Sequence, residues 1–362
     1  MNALAARLAE RIAQQGPLTV ADYMAEALAH PRHGYYMTGD PFGARGDFVT
    51  APEVSQMFGE LVGLWCAEAW RQLGSPEDLL LIELGPGRGT LLTDALRAAR
   101  VLPGFPVALR LHLVEMSPAL QALQRQNLAG TEAQWHGSLA EVPRGQPALV
   151  IANEFFDALP VRQFERAPDG WRERMVGLAP DGDGLAFRLS PPAPAAERLI
   201  PEALRRAAPG AVAEVAPAAL SLVSQIAERL AADGGAALIL DYGYADADGR
   251  PTLQALRRHA RHDVLAAPGE ADLTAHVDFG SLAACARKAG AEAWGPVEQG
   301  VFLEALGIAA RAERLQAGAS AEQAAEVRAA LHRLTAPEEM GRLFKAMILA
   351  APGLGPLAGC PA

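Results

Sequence analysis

Cysteine is scarce: the 362 residues hold three, Cys66, Cys285 and Cys360, an odd number placed far apart with no C-x-x-C pair. That excludes a disulfide framework and a thiolate metal site, and it fits a reducing cytoplasm best. Long apolar runs are missing too. A membrane helix needs about 18 uninterrupted apolar residues, whereas the run 236–240 stops at Asp241, so no membrane insertion is expected. Basic excess is also lacking, with 32 Lys and Arg against 42 Asp and Glu and a net charge of −10. A protein that neutralises phosphates shows the opposite balance, so no nucleic-acid partner is expected. The first residues carry Arg7, Glu10 and Arg11 among alanines and leucines, unlike a secretory signal, and Glu10 is foreign to a mitochondrial presequence. His30-x-x-His33 and His259-x-x-His262 have no third ligand at metal-site spacing, so no metal is expected.

What is present is an ordinary globular balance, 50% hydrophobic and 20% charged, enough for one large elaborated domain or two with a substantial core. Residues 1–75 read as a helical segment. Leu4, Leu8 and Ile12, then Val20, Met24 and Leu28, recur at helical spacing, and Thr50-Ala51-Pro52-Glu53 reads as a capping box opening a third helix. Between them, 31–48 is rich in Gly, Pro and aromatics and reads as an ordered loop. From Leu79 short apolar runs (79–84, 109–114, 148–152, 237–240) alternate with helical stretches (90–100, 117–127). This is the α/β signature of a doubly wound, parallel sheet covered by helices, spanning 76–350. Three strand-like pieces punctuated by Pro168-Asp169-Gly170 and Asp181-Gly182-Asp183-Gly184 make 161–190 an antiparallel insertion. Residues 245–335 read as largely helical, 344–349 as a last strand and 351–362 as a frayed tail.

The sharpest chemical signal is Glu83-Leu84-Gly85-Pro86-Gly87-Arg88-Gly89-Thr90, a buried strand running through a glycine turn into a helix. Glycine there permits positive φ and close approach of a ligand to the backbone at a helix N-terminus. A dinucleotide fingerprint is spaced G-x-G-x-x-G. Here the spacing is G-x-G-x-G, preceded by Glu83. A carboxylate would repel a pyrophosphate but pair with the amino group of a cationic amino-acid moiety, which disfavours a nicotinamide-dependent oxidoreductase and fits S-adenosyl-L-methionine. Glu115 ends the second strand, where a carboxylate accepts the hydroxyls of an adenosine ribose. A bare strand-to-helix connection with Glu115 as a solvated strand end is the alternative.

The third apolar run ends in Asn153-Glu154-Phe155-Phe156-Asp157-Ala158-Leu159-Pro160. Ligands of open α/β sheets sit beyond the carboxyl ends of the strands, so this loop should face the cleft of the glycine turn. Asn153 could accept a hydrogen bond from a substrate nitrogen, and Glu154 and Asp157 could grip a guanidinium. The alternative makes Asn153 a helix cap and the two phenylalanines core. His276, within Thr274-Ala275-His276-Val277-Asp278-Phe279, could act as a base or orient a substrate, or Thr274 or Asp278 could simply cap the next helix.

Together with Gly34-Tyr35-Tyr36 and Gly46-Asp47-Phe48-Val49-Thr50-Ala51-Pro52-Glu53, these blocks resemble, in order and over residues 17 to about 350, the MidA family of S-adenosylmethionine-dependent methyltransferases. The resemblance implies a mostly parallel, seven-stranded class I methyltransferase sheet of Rossmann-like type. It implies S-adenosyl-L-methionine as cofactor, contacted by Glu83, Gly85, Gly87, Gly89 and Glu115, with Asp47, Thr50 and Gln56 closing the cleft from the N-terminal segment. It also implies a protein arginine as methyl acceptor, as in mitochondrial relatives that assemble respiratory complex I. The resemblance puts substrate contacts at Asn153, Glu154 and Asp157, which with His276 make up the candidate catalytic set; apolar surface on the N-terminal segment or the 161–190 insertion could serve a partner or a homodimer. Methylation of another nitrogen, in nucleic acid or a small molecule, and cofactor binding without turnover are the rival readings.

Overall fold

The computed structural model describes residues 2–38, 49–181, 184–192 and 194–360. Contacts divide the chain into two units, one of residues 1–48, 157–221 and 245–281, the other of 49–156, 222–244 and 282–362. Residues 1–75, read from sequence as one segment, are thus shared: 1–48 group with the antiparallel insertion and 49–75 with the α/β sheet.

In the second unit, strands β1 (Leu79–Leu84), β2 (Leu109–Val114), β3 (Ala133–His136), β4 (Ala148–Asn153), β5 (Gly235–Tyr244), β6 (Glu292–Glu298) and β7 (Phe344–Ala350) lie in the order β6-β7-β5-β4-β1-β2-β3. β1 pairs parallel with β2 and β4, β4 with β5, and β2 with β3. β7 is antiparallel to both β5 and β6. Every residue of β1 is buried, which is why it reads as an unbroken apolar run rather than an alternating one. The chain leaves β1 toward β2 on one side and returns to β4 on the other, so the order of strands reverses between β1 and β4, the crevice where such sheets bind ligands.

Two strands of this unit escape sequence reading. Ala133–His136 is short and has no buried face to mark it, and Glu292–Glu298 contains Gly295-Pro296 and a register shift between Trp294 and Val297. The capping box expected at Thr50 does not form. Thr50 makes no side-chain cap, the helix Ala51–Val54 stops at Ser55, and Ser55 Oγ accepts from Met57 N–H to open a second helix, Gln56–Gln72. The tail is not frayed through residue 360: Leu357 and Cys360 are buried in the core, and Trp65 Nε1 donates to Ala358 O at 3.2 Å.

In the first unit, helices Ala3–Gln15 and Val20–Ala29 are capped by the side chains of Asn2 and Thr19. Strands Arg162–Ala167, Gly170–Leu178 and Leu185–Leu189 form the expected antiparallel insertion, joined by Leu18–Thr19 and Val212–Val215 into one sheet. The reading of 31–48 as loop is corrected at Tyr35–Thr38, a turn of helix. That of 245–335 as largely helical is corrected over its first part, where Gln254–Arg257, Ala260–His262 and Asp272–Thr274 make a small sheet. Its tight hairpin turns at Arg258 and His259, both at positive φ (52 and 61°), without the Asn-Gly or Asp-Gly pair that advertises such a turn in sequence. Helices follow from Phe279 onward.

Helix Gln56–Gln72 lies against helix Thr90–Ala99 through Gly59 and Gly63. A Cβ at Gly63 would come within 2.3 Å of Ala95 O, so the helix that follows the glycine turn is seated by the absence of a side chain. Gly63→Ala is therefore expected to lower stability by about 1–3 kcal/mol through overpacking, read as a lower urea midpoint. An unchanged midpoint would show that the two helices part without cost.

Candidate functional site

The site is built at the carboxyl ends of β1, β2 and β4. Beyond Leu84 the chain turns through Gly85, Gly87 and Gly89, all at positive φ (59, 55 and 81°), conformations that glycine adopts without strain. Helix Thr90–Ala99 follows with Gly89 at its N-cap and no side-chain cap, so its first amides are left for an acceptor. Gly85 is also a close approach: a Cβ there would meet Phe155 Cδ2 at 2.5 Å, because the Phe155 ring lies against the turn.

Glu83 is 3% exposed within the all-buried β1, and its Oε2 has no hydrogen-bond partner among the described residues. Burial pushes its carboxyl up to about 8. An orphaned acid beside a glycine turn suits a cationic amino group, which would supply both the missing donor and the counter-charge. Glu115 is buried rather than solvated. Its Oε1 accepts from Ser117 N–H at 2.8 Å and its Oε2 from Gln124 Nε2 at 3.2 Å, and burial outweighs these bonds to raise its carboxyl. Each oxygen retains a lone pair for a ribose hydroxyl.

Gln124, which the sequence did not mark, ties these parts together. Its Nε2 donates to Gly87 O at 2.8 Å as well as to Glu115, and its Oε1 accepts from Trp135 Nε1 at 2.9 Å. Its only signal was phase, one turn beyond Leu120 on the buried side of the helix Pro118–Asn127.

Residues 154–160 contain no helix, so Asn153 is not a helix cap; it ends β4, and its Nδ2 lies 3.4 Å from Glu154 Oε1. Glu154 sits at φ 47°, and its N–H donates to Leu240 O at 2.8 Å. Asp241, within β5 just past its pairing with β4, holds the turn: its Oδ2 accepts from Phe155 N–H (3.1 Å) and Phe156 N–H (2.9 Å). The sequence showed Asp241 as a strand end and nothing more. Phe156 is core, as its alternative reading had it.

Thr50 is buried ahead of the helix Ala51–Val54, whose first amide, Ala51 N–H, donates to Glu154 Oε1 at 2.8 Å. Gln56 is exposed at the start of the next helix. Asp47 lies outside the described residues. Asp157 and His276 belong to the other unit. There, Asp157 is buried and its carbonyl accepts from Ala275 N–H, while Tyr36 Oη donates to Asp272 Oδ1 at 2.8 Å. Burial, then Asp272 and Asp157, raise the Tyr36 phenol well above its usual range. His276 is half-buried, its N–H donates to Thr252 Oγ1 at 2.8 Å, and burial lowers its ring below the usual histidine value. Thr274 is in a strand, and Asp278 performs the capping, accepting from Ser281 N–H at 2.9 Å. Among the described residues no cluster of His, Cys, Asp and Glu could hold a metal ion, and no helix is long and apolar enough to cross a membrane.

A mixed α/β sheet whose switch-point strands carry a glycine turn and two buried acids defines a protein that binds an adenosyl amino acid. The profile of a family described as "Putative S-adenosyl-L-methionine-dependent methyltransferase" matches residues 61–297, and the chain belongs to that family. It is 40% identical to the protein arginine methyltransferase NDUFAF7, mitochondrial, of Danio rerio, over 93% of this chain and 84% of that one. The Drosophila melanogaster homologue of the same name is 39% identical over 95% of this chain and 84% of its own. A crystal structure from Burkholderia thailandensis bound to S-adenosyl-homocysteine superposes with a TM-score of 0.86 at 29% identity, covering 99% of this chain and 96% of that one. The protein is thus an S-adenosyl-L-methionine-dependent methyltransferase.

Because the folded value of Glu83 (about 8) lies above its ordinary 4.5, its contribution to stability is fully present below the ordinary value and is lost as pH rises through the folded one. A cation binding beside it favours the carboxylate, so cofactor binding at pH 7 is expected to release about one proton, with the release fading above pH 8. Calorimetry in buffers of different ionisation enthalpy measures it. Release undiminished in Glu83→Gln would assign the proton to another group.

Proposed function

We propose that this methyltransferase acts on an arginine guanidinium of a protein, and that its sheet order is that of the class I methyltransferases. The observation that carries the acceptor reading is Glu154, an acid at positive φ on the end of β4, the strand paired directly with β1, whose glycine turn packs against the neighbouring Phe155. A non-glycine residue in this conformation costs free energy and is kept where geometry matters. The arginine methyltransferases similar to this chain at about 40% identity support the same substrate class. A respiratory complex I subunit as the acceptor rests on the MidA resemblance.

The bound cofactor supplies the activated methyl group; the protein supplies placement. Glu83 and Glu115 would hold the amino group and the ribose, and Gly85, Gly87 and Gly89 the backbone surface between them. Glu154, with Asn153 beside it, would accept from the guanidinium and turn one nitrogen toward the cleft, since a planar cation with fixed N–H directions matches a fixed carboxylate. Positioning of this kind can supply about 7–11 kcal/mol of barrier reduction. Thr50 and Gln56 precede and open the helices that flank the turn, the place from which a closing segment would act.

The test is Glu154→Gln with labelled S-adenosyl-L-methionine and a complex I subunit preparation, methylarginine being read by mass spectrometry. Transfer is expected to fall about 10²-fold, as when one partner of a buried charge pair is neutralised, with cofactor affinity within about twofold of the original. Equal activity would remove Glu154 from the mechanism.

A further inference from the structure

The four-residue helix Ala51–Val54 is tied at two places to other elements. At one end, Ala51 N–H donates to Glu154 Oε1 at 2.8 Å. This is the helix's first amide, and Thr50, the residue placed to cap it, makes no cap bond. At the other end Glu53 reaches the glycine turn. Its Oε1 accepts from Thr90 Oγ1 at 2.6 Å, and its Oε2 lies 3.7 Å from Arg88 NH1, with the Glu53 side chain 19% exposed. Arg88 and Thr90 bracket Gly89, and Thr90 opens the helix that follows the glycine turn without a side-chain cap. Only Pro52 stands between the two connections, and Ala51 and Pro52 are both buried.

We infer that Glu53 is a positioning residue: through the helix Ala51–Val54 it fixes the glycine turn and the Glu154 carboxylate relative to each other, so that the cofactor-side and acceptor-side groups move as one piece. This rests on the reading of Glu154 given above. The physical reason is stiffness. Glu53 ends on a helix terminus and Glu154 on a strand terminus, and a single short helix with a proline links them, leaving few torsions through which one could shift without the other. The Glu53 carboxylate contacts Thr90 and Arg88. Its effect would be felt through Thr90 and Arg88 on one side and through the Ala51 amide on the other.

The test uses the full chain, calorimetric titration with S-adenosyl-homocysteine, and hydrogen exchange at the Ala51 amide. Glu53→Ala is expected to weaken S-adenosyl-homocysteine at least 10-fold and to speed exchange at Ala51. Glu53→Gln, which keeps an acceptor for the Thr90 hydroxyl, should stay within about threefold of the original affinity, a rescue that mere loss of fold stability would not show. Thr90→Val should weaken binding as Glu53→Ala does, and the double variant no further, because the two share one contact. If the original chain binds S-adenosyl-homocysteine and Glu53→Ala binds it equally, or if exchange at Ala51 is unchanged, the positioning role is overturned while the methyltransferase reading stands. If the original chain does not bind S-adenosyl-homocysteine, the reading of the glycine turn falls, and the proposal with it.

Discussion

An acid buried without a counter-charge is the constraint around which the α/β unit is arranged. Glu83 interrupts a strand that is otherwise leucine and isoleucine, and its Oε2 meets no donor among the described residues. Such a group is tolerated in the free protein by holding its proton. Cys66 lies close enough for the Glu83 charge to add to the effect of burial on its thiol, both pushing it up, so the surroundings offer no relief. The relief is directional. The glycine turn begins two residues beyond Glu83, at the carboxyl end of β1.

The parts around that acid are locked by polar side chains that reach across elements. Gln124 holds Gly87 and Glu115 in one grip, and Asp241 holds the backbone of the 155–156 turn from the next strand. Farther back, Glu60 joins the helix Gln56–Gln72 to Arg97 at 3.1 Å and Arg311 at 2.7 Å. Those bonds, working against burial, hold its carboxyl below the usual range. Fixing a loop from several directions is what allows a site to be in place before its ligand arrives.

The central strands, the glycine turn and the acids at strand ends were legible because each is local: an apolar run, a spacing, a carboxylate at a known offset. Gln124, Asp241 and Glu53 were not, because their partners lie 37, 86 and 37 residues away in sequence and a glutamine on a helix looks the same whether it faces water or a buried carbonyl. The failed capping box at Thr50 has the same origin. Its letters are right, but Glu53 finds a better partner in Thr90 than in its own helix. The hairpin at Arg258-His259 was missed because its turn is imposed by the paired strands rather than by residues that favour it. The shared allegiance of residues 1–75 is a matter of which apolar faces meet, and no window along the chain displays that.

Glu154 carries a consequence for how this protein changes over time. Its left-handed backbone imposes a penalty of order 1–3 kcal/mol that a glycine would remove. Random drift toward greater robustness therefore has an easy first move at this position, and the same move deletes the acid. Under the proposed role of its carboxylate, stability and chemistry pull this residue in opposite directions.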